Sequence, residues 1–177
     1  MDYGQEDLKR RFQLIQRDRD KSGFVVSIKL RVPHCFCREH HAPAANRLID
    51  DYRARHPLDT RDCIYVEHES GPELILYLGL GVAGLGLARE SLSLLKSAIE
   101  LVTAILKARC EGRKQGDSQH GPLVVVVQGF GPDDTFYEKQ AIHADPEDPP
   151  TEKDVEESLN DVIQLIAEER ARSGGTP

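Results

Sequence analysis

Apolar residues recur along this chain with two different periods. Between residues 5 and 20, Leu8, Phe12 and Ile15 fall three or four apart among charged neighbours, which predicts a helix with one buried stripe. In FVVSIKLRV the period drops to two: Phe24, Val26, Ile28, Leu30 and Val32 share one face, while Val25, Ser27, Lys29 and Arg31 share the other. That pattern predicts a half-buried strand, ended by Pro33. Pro43 then opens a short helix with Leu48, Ile49 and Tyr52 inward, stopping before His56-Pro57. DCIYVEH reads as a second strand, and Gly71-Pro72 as a turn. LVVVVQ is a short continuous apolar run, so it reads as a strand covered on both faces; 136–143 returns beside it as a hairpin. Thr151 is a good N-cap, followed by a helix whose stripe is Val155, Leu159, Val162, Ile163 and Ile166.

The segment 73–109 is the least ordinary. Leu74, Leu78, Gly81, Leu85, Ala88, Leu92, Leu95, Ile99, Val102 and Leu106 alternate in steps of four and three, a heptad seam that passes through YLGLGVAGLGLARE. The expectation is one long helix, apolar all round at first and amphipathic afterwards, with Gly79, Gly81, Gly84 and Gly86 as close-packing positions. Such a helix would be roughly 55 Å long, against about 40 Å for a compact domain of this size. It must bend at its glycines or project, and if it projects, Leu92, Leu95, Ile99, Val102 and Leu106 form an interaction stripe. Two rival readings share this stretch. GLGVAG fits G-x-G-x-x-G, but Glu100, the acid about 20 residues on, falls inside a helical pattern rather than on a second strand. The uncharged run 74–88 would span only about 22 Å as a helix, short of the roughly 30 Å of bilayer hydrocarbon.

The order of elements predicts an α+β fold: a sheet of about four strands with helices packed mainly on one face. One domain over 1–177 is expected, with a possible subdomain boundary in the polar connector 111–121, itself expected to be mobile, and a flexible tail at 173–177. Hydrophobic residues make up 39% of the 177 positions and charged residues 30%, a globular balance. The net charge of −7 and the absence of Trp argue against nucleic acid as a partner. MDYGQEDLKRRF lacks an apolar leader pattern and the four cysteines lack framework spacing, so a reducing cytoplasm is expected, in a protein of bacterial type.

Chemistry-bearing residues concentrate in HCFCREHH. His34, Cys35, Cys37, His40 and His41 fall within eight positions, and thiolates and imidazoles are ligands for zinc. Cys63 or His68 could add a fourth ligand from the next strand, although the spacing follows none of the usual zinc patterns. DRDKSGFV starts like a calcium loop, with Asp18, Asp20 and Ser22 at ligand positions, but Lys29 occupies the place of the essential glutamate, so no calcium site is assigned. Cys63 and His68 are the one nucleophile–base pair worth testing; no catalytic residue is assigned. The expected function is therefore a non-enzymatic module that self-associates or docks to a partner protein through its long helix, without a resident cofactor. The alternatives are a membrane-associated or pore-forming effector inserting 74–88, and a small metal-dependent protein using zinc at 34–41.

Overall fold

The computed structural model describes residues 3–17, 19, 22–58, 61–84 and 86–173. The fold is α+β, with four helices and a five-stranded sheet in which every paired neighbour is antiparallel. In chain order the elements are α1 (Tyr3–Gln16), β1 (Phe24–Arg31), α2 (Pro43–Arg55), β2 (Cys63–Val66), β3 (Glu73–Leu78), α3 (Arg89–Lys114), β4 (Leu123–Phe130), β5 (Phe136–Ala144) and α4 (Glu152–Ser173). The sheet order is β2-β3-β1-β4-β5, so the first strand of the chain sits in the middle.

The alternation of β1 divides the molecule. Phe24, Val26, Ile28 and Leu30 join Leu74, Leu76 and Leu78 of β3 and Val125 and Val127 of β4 in one cluster with α2, α3 and α4. The opposite face carries a smaller cluster in which Leu8, Phe12 and Ile15 of α1 cover Val25 and Ile75. Three helices therefore lie on one face and one on the other. At α4, Thr151 and Asp154 bond reciprocally: the Asp154 N–H donates to Thr151 Oγ1 at 3.2 Å, and the Thr151 N–H to Asp154 Oδ2 at 3.0 Å.

The long helix expected over 73–109 is corrected. Residues 73–78 are strand β3, hydrogen-bonded between β1 and β2, and the helix starts only at Arg89 and runs to Lys114. A short apolar run buried on both sides satisfies helix and strand periodicity equally, and here the sheet partners decide. The seam through Leu74, Leu78 and Gly81 is a coincidence of spacing. Among the described residues no helix is long and apolar enough to cross a membrane, and 74–88 is strand and loop rather than a continuous helix.

Gly79, Gly84 and Gly86 do not serve close packing. A Cβ on Gly79 would meet nothing nearer than 3.5 Å, and one on Gly86 would meet nothing within 4 Å. Gly84 and Gly86 have φ of 70° and 71°, so they turn the chain; the Gly81 N–H bonds the Gly86 carbonyl at 3.0 Å. The glycine that lets backbones approach is Gly112 on α3, where a Cβ would lie 2.8 Å from the Ala45 nitrogen of α2.

The connector after α3 is anchored. Asp117 and Gln119 are buried, and the buried Arg109 guanidinium donates to Gln119 Oε1 at 3.2 Å and to the Gly121 carbonyl. Its polarity, which suggested mobility, instead supplies bonds to the interior. The tail beyond Ser173, Leu85, and Asp18 and Asp20 of the calcium-like loop lie outside the described residues.

Candidate metal centre

The loop from β1 to α2 is held by its backbone. The Phe36 side chain is buried in the main core, and its N–H donates to the Glu69 carbonyl at 2.5 Å. Asn46, inside α2, reaches back with Nδ2 to the carbonyls of Phe36 (3.1 Å) and Ala42 (2.9 Å). The N–H groups of His41 and Ala42 both point to the Cys37 carbonyl, at 3.3 and 2.9 Å, winding 37–42 into a single turn. The Ser118 N–H bonds the His41 carbonyl at 3.1 Å.

α2 has no side-chain cap of its own at Ala42. Asp117 replaces it from the distant connector, accepting the Ala44 and Ala45 N–H groups at 2.9 Å each. A carboxylate there satisfies orphan donors and the helix dipole together.

With the backbone so tied, the side chains of Cys35, Cys37 and His41 converge. Each offers one donor atom, and the three atoms lie within 4.8 Å of one another. Cys37 Sγ is 3.0 Å from His41 Nδ1, and the Cys37 N–H donates to Cys35 Sγ at 3.1 Å. Hydrogen bonds from Cys35 and His41 push the Cys37 thiol down to about 6, while the bond it gives to Cys37 pushes the Cys35 thiol up. Two sulfurs and an imidazole at such separations suit zinc and other borderline or soft ions, and exclude the all-oxygen preference of calcium and magnesium.

Of the seven cysteines and histidines considered, His34, His40, Cys63 and His68 fall outside this set, His34 being exposed. His40 reaches Cys37 (Nδ1 to Sγ, 3.9 Å) but does not share the mutual proximity of the other three. Cys63 is corrected: it faces the main core of the sheet, buried opposite Leu76. Its alternation on β2 turns it inward, which also separates it from His68 as a nucleophile–base pair. Cys110 lies elsewhere, its Sγ 3.5 Å from the Pro146 carbonyl.

A cavity of about 510 Å³ opens beside the three donors. Arg38 on its wall is spent on two carboxylates, Asp50 (2.5 and 2.9 Å) and Glu67 (2.7 Å from Nε). Tyr65 of β2 also lines it, with the Arg53 guanidinium 3.7 Å from its ring centroid. The Tyr65 hydroxyl is buried without a partner among the described residues, and burial pushes it up to about 12. His68, on the same wall, is turned to Glu73 through Nε2 at 2.6 Å. Glu73 in turn accepts from Ser27 (2.5 Å) and Arg11 (2.6 Å). Burial pushes this carboxyl up, but the bonds from Ser27 and His68 and the Arg11 charge outweigh it and hold it below the ordinary glutamate range.

The other candidate positions bring no chemistry together. Leu95, Ile99, Val102 and Leu106 are buried in the chain's own core, and only Leu92 of that stripe is exposed. The projecting interaction stripe is thereby corrected: α3 begins sixteen residues later than expected, so these positions lie over the sheet instead of beyond it. At GLGVAG a strand does precede and a helix does follow. Yet the N–H groups of Gly79, Gly81, Gly84 and Ala88 are donated to Ser91, Gly86, Gly81 and Gly79, which leaves none of these four for a phosphate. Asn46, Tyr65, Glu73 and Asp117 carried no signal in sequence, being ordinary residues at strand, helix or connector positions. No family model, curated protein or solved structure matches the chain.

Proposed function

We propose that this chain is a small metal-dependent protein that holds one zinc-class ion through Cys35, Cys37 and His41. The observation that carries it is the convergence of two sulfurs and an imidazole nitrogen within 4.8 Å. The supporting detail is the framework around them. Asn46 from the start of α2, and Glu69 and Ser118 from positions distant in sequence, bond the backbone of the turn, and ligands fixed by outer bonds bind metal more tightly. The Cys37 N–H on Cys35 Sγ also stabilises a ligating thiolate.

Cobalt(II) titration of the purified chain tests this. One equivalent should raise a sulfur-to-cobalt charge-transfer band together with intense visible bands of tetrahedral type. Cys35→Ser, Cys37→Ser and His41→Ala should abolish it, whereas Cys63→Ser and Cys110→Ser should not. A wild-type chain without that band, or a band that depends on Cys63 or Cys110, refutes the reading.

A further inference from the structure

α1 covers only part of its face of the sheet. Along β1 that face runs Val25, Ser27, Lys29, Arg31, and α1 seals Val25 together with Ile75 of β3. Farther along, the strands turn polar. Glu73 of β3 stands opposite Lys29, while Gln128 of β4 stands between Ser27 of β1 and Glu138 of β5. Where α1 stops short, these side chains and Arg11 wall a cleft of about 180 Å³. It shares no lining residue with the cavity beside the cysteine loop.

The charges of this cleft do not cancel. Arg31 spends both terminal nitrogens on Glu138, at 2.7 and 2.6 Å, and Gln128 donates to the same carboxylate at 2.7 Å. Arg11 reaches Glu73 at 2.6 Å, and Ser27 and His68 bond that carboxylate too. Both acids are therefore committed. The third cation, Lys29, is half-buried on the cleft wall and has neither an ion pair nor a hydrogen bond among the described residues. Burial pushes its ammonium down; Glu73 and Glu138 oppose this, while Arg31 and Arg11 add to it. A chain of net charge −7 thus keeps one cleft with a cation to spare. A partly desolvated ammonium is stabilised by an anion that supplies the missing partner.

We infer that this cleft binds a short-chain monocarboxylate, its carboxylate on the Lys29 ammonium and its hydrocarbon end against the half-buried Phe136 ring. One unpaired cation matches one negative charge. A phosphate dianion would bring a second charge up against Glu73 and Glu138 with no free cation to meet it. The volume holds the ligand to a few carbon atoms, well below drug size. The site is independent of the metal reading above.

The test titrates the isotope-labelled full chain with propionate, propionamide and inorganic phosphate, followed by amide NMR. Propionate should saturate at millimolar concentration and move the amides of Lys29, Gln128 and Glu138. Propionamide has the same shape without the charge; it and phosphate should bind about tenfold more weakly or worse, the worth of one charge-assisted hydrogen bond. Lys29→Met keeps the length of the stem and should weaken propionate by a similar factor, Lys29→Arg should retain most of the affinity, and the exposed control Lys153→Met should change nothing. If Lys29→Met loses its native spectrum, the wild-type ratio of propionate to propionamide and the Lys29→Arg affinity decide. No saturation by propionate, equal binding of propionamide, or a preference for phosphate overturns the ligand class. Shifts centred on residues 35–41, or an affinity unmoved in folded Lys29→Met, overturn the site.

Discussion

Two loops leave the middle of the sheet from adjacent antiparallel strands, and they are built in opposite ways. The loop from β1 to α2 gives its backbone to partners outside the loop, Asn46 of α2 and the distant Glu69 and Ser118, and turns the side chains of Cys35, Cys37 and His41 toward one another. The loop from β3 to α3 closes on itself. Leu80 bridges Leu87, Gly81 bonds Gly86 and Ala88 bonds Gly79, and its side chains are hydrogens or hydrocarbons. The second matches a phosphate-loop spacing and has no free donors at its matching glycines; the first matches no spacing and assembles three. A site needs groups with lone pairs or protons to spare, and a backbone fixed by something other than those groups.

Five substitutions would break or sharpen this contrast. The largest effect belongs to Cys37→Ser, which should weaken cobalt binding on the order of a hundredfold or more, beyond what outer partners contribute; Gly86→Ala in the other loop should leave the titration unchanged. If both act alike, the two loops are not functionally distinct.

Next comes Glu73→Gln, which leaves Arg11 and His68 facing a neutral amide at a nearly inaccessible position. About 3 kcal/mol of stability should be lost in urea unfolding at neutral pH. The carboxyl is held below its ordinary value, so its contribution is complete above the glutamate range and fades as pH falls through the depressed value. The variant should lack that acid limb; wild-type and variant curves that stay parallel down to low pH would show that Glu73 is not the group responsible.

Asp117→Ala should cost about 2 kcal/mol, because it strips two N–H groups at the start of α2. It should also loosen cobalt binding, since the helix anchors the end of the Cys/His turn. Equal cobalt affinity in variant and wild type would separate the connector from the site. Smallest is Gly84→Ala, with room for the methyl group but a φ of 70°. About 1 kcal/mol from backbone strain is expected, with no change in cobalt affinity. A loss much above that would mean the glycine loop bears more than its own turn.

Local patterning carried most of the elements. The alternation in β1, the stripes of α1 and α4 and the cap at Thr151 depend on neighbours a few positions away, and each stands where its period placed it. The misreading at 73–88 came from a run whose period suits two structures, and only pairing with β1 and β2 distinguishes them. In the Cys/His cluster the residue types were legible, but which of them meet was not: His40 and Cys63 were as good on paper as Cys35 and His41.

The sequence by itself thus determined the alternating faces, the helix stripes and the supply of sulfur and imidazole in one short segment, because these are properties of adjacent residues. Tertiary structure alone decided that ELILYL is an interior strand, that Asp117 caps a helix more than 70 positions away, and that Tyr65 and the cysteine loop line one cavity. Hydrogen-bond partners and cavity walls are drawn from segments far apart in the chain, and no local period records which of them will come together.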